Sequence, residues 1–524
     1  MMGQRRVVVK QGQPAATMGT VASTLLGIDL GTTSLRALVV NTKGAVLGQA
    51  SAPYPTAQPH PGWTEQEPDD WWQACRSAVS DLRARGLLEQ VRAIGLTGQM
   101  HGSVFLDRQL TVLRPAILWN DQRTAAEAAE IEERVGQRRL LALTGNRALT
   151  GFTAPKVIWL RRHEPDLFRR LHHLLLPKDY LRLRLTGELA TDVADASGTL
   201  FFDVRARRWS GEVMRLLALD EGLLPAALES PAVSGRVAAS AAADLGLPEG
   251  TPVVAGAGDQ AAGAVGAGAV SPGVVMVSIG TSGVVFTAAE RPAVDRGGRL
   301  HAFCHAVPGL WHVMGVMLSA GGSFAWLAST LSDSEEHLSE VARSSAAGAG
   351  GLLFLPYLSG ERTPHADPLA RGAFVGLTAS HGPGDLARAV MEGVAFGLRD
   401  CLGLVRALRL PIREVRLIGG GARSPLWRQI VADVFGLPIL GLEAEQGAAY
   451  GAALLAGTGT GLWRDVPEAC RAAVRTAGRV EPQSQATRLY DELYARYRDL
   501  YPKLKTSFAA LHDLAASAPP AGAP

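Results

Sequence analysis

The chain has 524 residues, 47% of them hydrophobic, and a formal net charge of +3. That length exceeds the roughly 250–300 residues at which one hydrophobic core stops growing, so at least two domains are expected. Arg residues scattered among Ala, Gly, Leu and Val, with no basic run interleaved with aromatics, argue against nucleic acid as a partner.

The first 24 residues carry Arg5, Arg6 and Lys10 and no acid, and they lack the apolar core of a secretory signal. Residues 1–23 are therefore expected to be a disordered extension, with Met18 as an alternative start. From Thr24 to about Ala52 apolar strands alternate around a turn at Asn41-Thr42-Lys43-Gly44. Pro68 opens a helix that runs to about Arg85; Asp69 and Asp70 sit in its first turn, where the dipole favours acids, and Gly86 closes it. A strand from Val91 to Leu96 then delivers Thr97-Gly98-Gln99-Met100-His101-Gly102 at its carboxyl end, the place where open α/β sheets hold ligands. There His101 reads equally well as an arm to a polar substrate and as a side chain satisfied within its own loop. Strands and helices repeat to about residue 250, which makes this half an α/β domain.

Val254 to Gly263 places one acid, Asp259, among small apolar residues at the junction of the halves. Asp suits a helix N-cap. A helix N-terminus would also keep the carboxylate ionised and turned outward, as a general base for a hydroxyl requires, and both roles are compatible. From Gln260 to Ala289 no side chain is charged, but Ser271-Pro272-Gly273 and Gly280-Thr281-Ser282-Gly283 interrupt the run; a small-residue helix followed by a buried hairpin fits better than a membrane span. Gly419-Gly420-Gly421-Ala422-Arg423-Ser424 lies between a β-like run and a helix over Leu426 to Val434, a turn at which a ring or phosphate can approach the backbone. Toward the end, Leu489, Leu493, Tyr497, Leu500 and Tyr501 recur at helical spacing as a packing stripe, and residues 513–524 are expected to form a disordered tail.

Four well-separated cysteines, Cys75, Cys304, Cys401 and Cys470, have neither metal nor disulfide spacing and read as the reduced thiols of a cytoplasmic protein. The chain has no GxxxxGK[ST], which excludes a P-loop enzyme, and no GxGxxG in a strand–helix unit followed by an acid. Lys178 with Asp179, and Glu361 with Arg362, are charges inside apolar runs that ion pairing explains at least as well as catalysis does.

Two stretches form one device used twice: GIDLGTTS, from Gly27 to Ser34, and VSIGTSGVVF, from Val277 to Phe286. Each reads as strand, tight turn, strand, with Gly-Thr-Ser at the turn. Glycine admits an anion close to backbone N–H groups, and the hydroxyls add donors to phosphate oxygens. Asp29 supplies a carboxylate beside the first turn, as a nucleotide-bound divalent cation requires. The pair points to a nucleotide held between two similar domains.

Together with Trp63-Thr64-Glu65-Gln66, Ile117-Leu118-Trp119-Asn120-Asp121, Gly151 to Lys156, Leu176 to Tyr180 and Leu358 to His365, these segments resemble the FGGY family of carbohydrate kinases over about Leu26 to Leu500. The resemblance implies an α/β fold of two actin-like, ribonuclease H-like ATPase domains, each a mixed sheet flanked by helices, with the active site in the cleft between them. It implies a sugar-binding domain over 24–265 and an ATP-binding domain over 266–512. By the same resemblance ATP meets Gly31, Thr32, Thr33, Ser34, Gly280, Thr281, Ser282, Gly420, Gly421, Ala422 and Ser424, the sugar meets Met100, His101, Asp259 and Gln260, and Asp259 is the catalytic base. Mg²⁺ is implied at Asp29 and Asp259, a homodimer is implied, and no membrane or nucleic-acid partner. Gln260 stands where many ketopentose kinases of the family carry Asn, a feature shared with its glycerol kinases, while the Met100–His101 pair argues for a ketopentose. Another ketose or a polyol, or a non-catalytic actin-like ATP switch, are the competing readings.

Overall fold

The computed structural model describes residues 23–443 and 446–517. Of the extension expected over residues 1–23, all but Ser23 lies outside these, as do residues 518–524 of the expected tail.

Two mixed sheets organise the molecule. The first comprises β1 (Thr24–Leu30), β2 (Ser34–Asn41), β3 (Val46–Pro53), β4 (Val91–Gly98), β5 (Val233–Arg236) and β6 (Pro252–Val254), in the order β5-β6-β4-β1-β2-β3, with the short β7 (Ala257–Gly258) paired to β4. The second comprises β8 (Gly273–Ile279), β9 (Gly283–Ala289), β10 (His301–Cys304), β11 (Trp311–Met317), β12 (Ile412–Ile418), β13 (Ile439–Leu442) and β14 (Thr476–Val480), in the order β10-β11-β9-β8-β12-β13-β14. The run β3-β2-β1-β4-β6 matches β11-β9-β8-β12-β13: in each, the leading strand lies antiparallel to the hairpin strand that follows it and parallel to a later strand on its other side. The twin motifs are thus the leading hairpins of two like sheets. Strands β1 and β9 are buried along nearly their whole length, as interior strands of covered sheets are.

Helices form where the sequence signals them. Pro68–Ala84 starts at its proline and buries Trp71, Trp72, Cys75, Val79 and Leu82 on the first sheet, and Gly86 follows with φ +69°. The uncharged run from Gln260 resolves into the Asp259–Gly266 helix and the buried β8–β9 hairpin. Among the described residues no helix is long and apolar enough to cross a membrane.

The Gly447–Gly459 helix belongs in sequence to the second half but packs on β1 and β4 of the first sheet and on the Asp259–Gly266 helix. Glycine makes this approach possible. A Cβ on Gly27 would overlap the Ala449 carbonyl, one on Gly95 the Ala452 carbonyl, and one on Gly451 the Ala262 carbonyl.

The terminal helix keeps the expected stripe at Leu493, Tyr497, Leu500 and Tyr501 and differs from expectation at Leu489 and in length. Tyr490 is buried where Leu489 is 37% exposed, Tyr497, Tyr501 and Phe508 complete the inner face, and the helix continues to Ser517, into the stretch expected to be unstructured. All four cysteines are buried and free.

Candidate active site

Strand register assembles the acidic centre. Leu30 pairs with Gly98 and Gly98 with Gly258, so the carboxyl ends of three parallel strands stand in line. The residues at or just beyond that line are Asp29, the Met100–His101 pair and Asp259, brought together here from three distant parts of the chain. Asp29 Oδ1 is buried and accepts no hydrogen bond among the described residues. Burial, reinforced by repulsion from Asp259 and opposed by Arg36, pushes the Asp29 carboxyl up to about 7. Asp259 is the first residue of its helix, with Gly258 as the cap, and accepts from the Gln260 N–H at 2.8 Å. Burial outweighs that bond, and the carboxyl rises to about 6. The helix terminus therefore does not hold Asp259 at an ordinary carboxylate value, as its position alone suggests; desolvation wins.

Beyond the end of β4, Met100 is 5% exposed. Its chain lies between Gly198 and Gly258: a Cβ on Gly258 would come within 2.6 Å of Met100 Cγ, and one on Gly198 within 2.6 Å of His101 Cε1. His101 holds φ +68°, a conformation costly for a residue with a Cβ. Its main chain is locked there, because the His101 carbonyl accepts from Lys156 Nζ at 2.8 Å and from Thr153 Oγ1 at 3.1 Å. His101 Nδ1 lies 2.7 Å from the Gly198 carbonyl oxygen. A carbonyl only accepts, so Nδ1 carries the proton. Burial first, then the charge of Lys156, lowers this imidazole to about 3. A neutral ring with Nδ1 protonated presents Nε2 as an acceptor for a hydroxyl. Lys156 itself is fully buried, also donates to Gly151 O at 2.8 Å, and is lowered to about 7 by desolvation.

Beyond the end of β12 lies a cavity of about 520 Å³ lined by Gly419, Gly420 and Ala422 with Arg36, Arg423 and Arg428 among others. Gly419, at φ +92°, leaves no room for a side chain, since a Cβ would lie 2.5 Å from the Ile279 carbonyl. That contact sets the β12 turn directly against the Gly280-Thr281-Ser282 loop. The loop closes through Gly280 N–H to Ser282 O at 3.0 Å and is backed by Gly321 N–H to Gly280 O at 2.7 Å and Ala320 N–H to Thr281 O at 2.8 Å. In the first loop, Gly31 N–H donates to Ser34 O at 3.1 Å, Thr32 Oγ1 accepts from Trp119 Nε1 at 3.0 Å, and Thr33 is exposed. Gln66 ties this loop down by donating to Thr32 O at 2.6 Å, while Gln66 Oε1 accepts from Trp71 and Gln99. Gly421 and Ser424 lie off the cavity: Gly421 packs on Ile279 and Trp427, and Ser424 caps the Pro425–Phe435 helix and bonds Ser339.

Sequence reading missed Lys156, Gly198 and the three arginines. An uncompensated lysine in the apolar run Phe152 to Leu160 was the available signal for the first. Two other expectations divide. Lys178 does pair, reaching Asp179 at 2.6 Å and Asp192 at 2.7 Å in a fully buried cluster beside Gly98. Glu361 and Arg362 do not pair: Glu361 Oε1 accepts the backbone amides of Leu318 and Arg362 instead.

Twin sheets, an acid pair at the ends of three strands and a glycine-walled cavity lined by arginines make a site suited to an anionic ligand beside paired carboxyls. Sequence models of the N-terminal and C-terminal domains of the FGGY family of carbohydrate kinases match residues 24–266 and 275–460. The chain belongs to that family. It is 46% identical over 433 residues to the xylulose kinase of Escherichia coli (strain K12), covering 82% of this chain and 89% of the relative. It is 39% identical over 491 residues to the xylulose kinase of Bacillus subtilis (strain 168), covering 93% and 98%. The crystal structure of xylulose kinase from Rhodospirillum rubrum superposes with a TM-score of 0.86 at 34% identity, covering 93% of this chain and all of that one.

Proposed function

We propose that this protein transfers the γ-phosphoryl group of ATP to the C5 hydroxyl of D-xylulose, giving D-xylulose 5-phosphate. The observation that carries the reading is the line of strand ends that groups Asp29, His101 and Asp259 opposite a glycine-walled cavity. Similarity to named xylulose kinases selects the sugar.

Asp259, ionised at neutral pH with a carboxyl near 6, accepts the C5 proton as the hydroxyl attacks; a base titrating close to the working pH is suited to that transfer. Gln260 holds the carboxylate through its backbone N–H. His101 Nε2 accepts from a second sugar hydroxyl, and Met100 floors the site. Charge spreads over the γ-phosphoryl oxygens in the transition state, so backbone donors of the Gly31–Ser34 and Gly280–Ser282 loops and the guanidinium of Arg36 lower the barrier by position and field.

A divalent cation fits this donor set. Asp29 offers an unpartnered buried oxygen, and no group of three or more His, Cys, Asp or Glu among the described residues forms a complete cage, as suits an ion that takes most of its ligands from phosphates and water. Asp29 and Asp259 would hold Mg²⁺, which supplies neutralisation of the phosphate oxygens.

The test is ADP release with a panel of pentuloses, hexuloses and glycerol, on wild type and Asp259→Asn. D-xylulose is expected to lead the panel and the variant to lose roughly 10²- to 10⁴-fold. Sugar-dependent release that survives the substitution would refute Asp259 as base, and a stronger response to glycerol, the direction Gln260 suggests, would change the substrate.

A further inference from the structure

We propose that Arg362, carried by the second half of the chain, is the residue that recognises the ketone oxygen of the sugar and so selects an open-chain ketose; this rests on the function proposed above.

The loop fixes Arg362 from both sides. Its own N–H donates to Glu361 Oε1 at 2.7 Å, and that oxygen also takes Leu318 N–H at 3.0 Å. The next residue, Thr363, exchanges two bonds with Val316, its N–H to Val316 O at 3.0 Å and Val316 N–H to its Oγ1 at 3.1 Å. The backbone is thereby riveted to the end of β11. The side chain crosses to the first half: Nη2 would lie 3.9 Å from a Cβ placed on Gly151, the residue whose carbonyl, with that of His101, is held by Lys156. Its charge reaches both His101 and His301. Among the described residues the guanidinium makes no hydrogen bond or ion pair. Glu361 attracts it without bonding it, since that carboxyl, pushed up to about 8 by burial, is turned to the backbone amides of Leu318 and Arg362. A desolvated guanidinium whose N–H groups have no acceptor is costly unless a ligand accepts its protons.

Chemistry identifies that ligand. A ketopentose closes its ring by adding the C5 hydroxyl to the C2 carbonyl, so a sugar phosphorylated at C5 must bind open, with a bare ketone. A ketone only accepts hydrogen bonds. The first half of the site offers acceptors, His101 Nε2, the Asp259 carboxylate and the Met100 thioether, and the amide of Gln260 is turned to the Asp259 carboxylate. Lys156 is committed to two carbonyls. Arg362, beside His101, is the free donor the ketone requires, and because it comes from the other half, binding a ketose draws the two halves together.

The test uses the full-length chain as wild type, Arg362→Met and Arg362→Lys, with KM measured for D-xylulose and ATP and Kd measured for xylitol, the polyol lacking the carbonyl. Loss of a charge-assisted bond is expected to raise the D-xylulose KM by roughly 10- to 100-fold in Arg362→Met, with ATP KM and xylitol Kd each within about threefold. Arg362→Lys, which keeps the charge, is expected to fall between. Equal weakening toward D-xylulose and xylitol, or an unchanged D-xylulose KM, would overturn the assignment. Should Arg362→Met fail to fold, Arg362→Lys carries the same comparison. Turnover of D-xylulose by wild type with unaltered variants removes only the role of Arg362, whereas a wild type that turns over no ketopentose removes the proposed function and this inference together.

Discussion

Asp29 and Asp259 place two carboxyls at neighbouring strand ends, and both are held above the ordinary carboxylate range by burial, to about 7 and about 6. Such values make opposite demands on stability and catalysis. For a carboxyl whose value is raised by folding, the stabilising contribution is present below the unfolded value near 3.8 and is lost as pH rises through about 7. Asp29→Asn is therefore expected to raise the melting temperature of the ligand-free protein by roughly 2–4 °C at pH 8 and not at pH 4, while phosphoryl transfer collapses; thermal melts at the two pH values check it, and an equal gain at both would show that ionisation is not the cause. Catalysis needs the ionised base, so kcat/KM for the sugar is expected to fall below about pH 6 as Asp259 takes up a proton. A pH profile flat to pH 5 would contradict that. At His101 the strained φ of +68° depends on Lys156. Lys156→Met is expected to raise the sugar KM roughly tenfold with ATP KM unchanged, read from initial rates with each substrate varied in turn. Asp259 stood out in the sequence because it is the lone acid in an apolar, glycine-flanked run. Lys156 did not, because its value lies in two carbonyl partners, one of them 55 residues away.

At the level of elements, the glycine-notched helix Gly447–Gly459 is the structural counterpart of the acid pair. It brings backbone to backbone against β1, β4 and the Asp259–Gly266 helix, so any side chain at Gly27, Gly95 or Gly451 meets a carbonyl. Gly451→Ala, neutral to favourable in an isolated helix, is expected here to destabilise by about 1–3 kcal/mol through overpacking; a chemical-denaturation midpoint equal to that of wild type would count against the tight seam. The leading hairpins, the Pro68 helix and the hairpin after residue 271 were legible because each carries local punctuation: a proline, a glycine or a Gly-Thr-Ser turn. The terminal stripe was legible except at Leu489: Leu493, Tyr497, Leu500 and Tyr501 pack on the core, while Tyr490 takes the inner place beside Leu489 because Glu392 and Arg388 bond its hydroxyl. Ser424, which the family resemblance assigns to ATP, also accepts from Trp427 N–H and caps the helix that follows, a role only the folded turn reveals.

Across the whole molecule, the proposed function has nucleotide and sugar meeting from opposite sheets, so that productive geometry requires the halves to close and expel water. ADP release without sugar is accordingly expected to be far below the rate with sugar, and equal rates in the two assays would break the link between closure and chemistry. The amino-acid sequence determined the repeated strand–turn–strand unit, the α/β class, the acid at the junction and, through many ordered motifs, the family, because all of these are written as local spacing. Tertiary structure alone decided which residues share the site. Register across three parallel strands aligns Asp29, His101 and Asp259, the depth of burial sets the carboxyls near neutrality, and a loop more than two hundred residues from Gly151 sends Arg362 across the cleft. The physical reason is that desolvation and contact depend on what surrounds a side chain in space, and neighbours in sequence specify only a part of that.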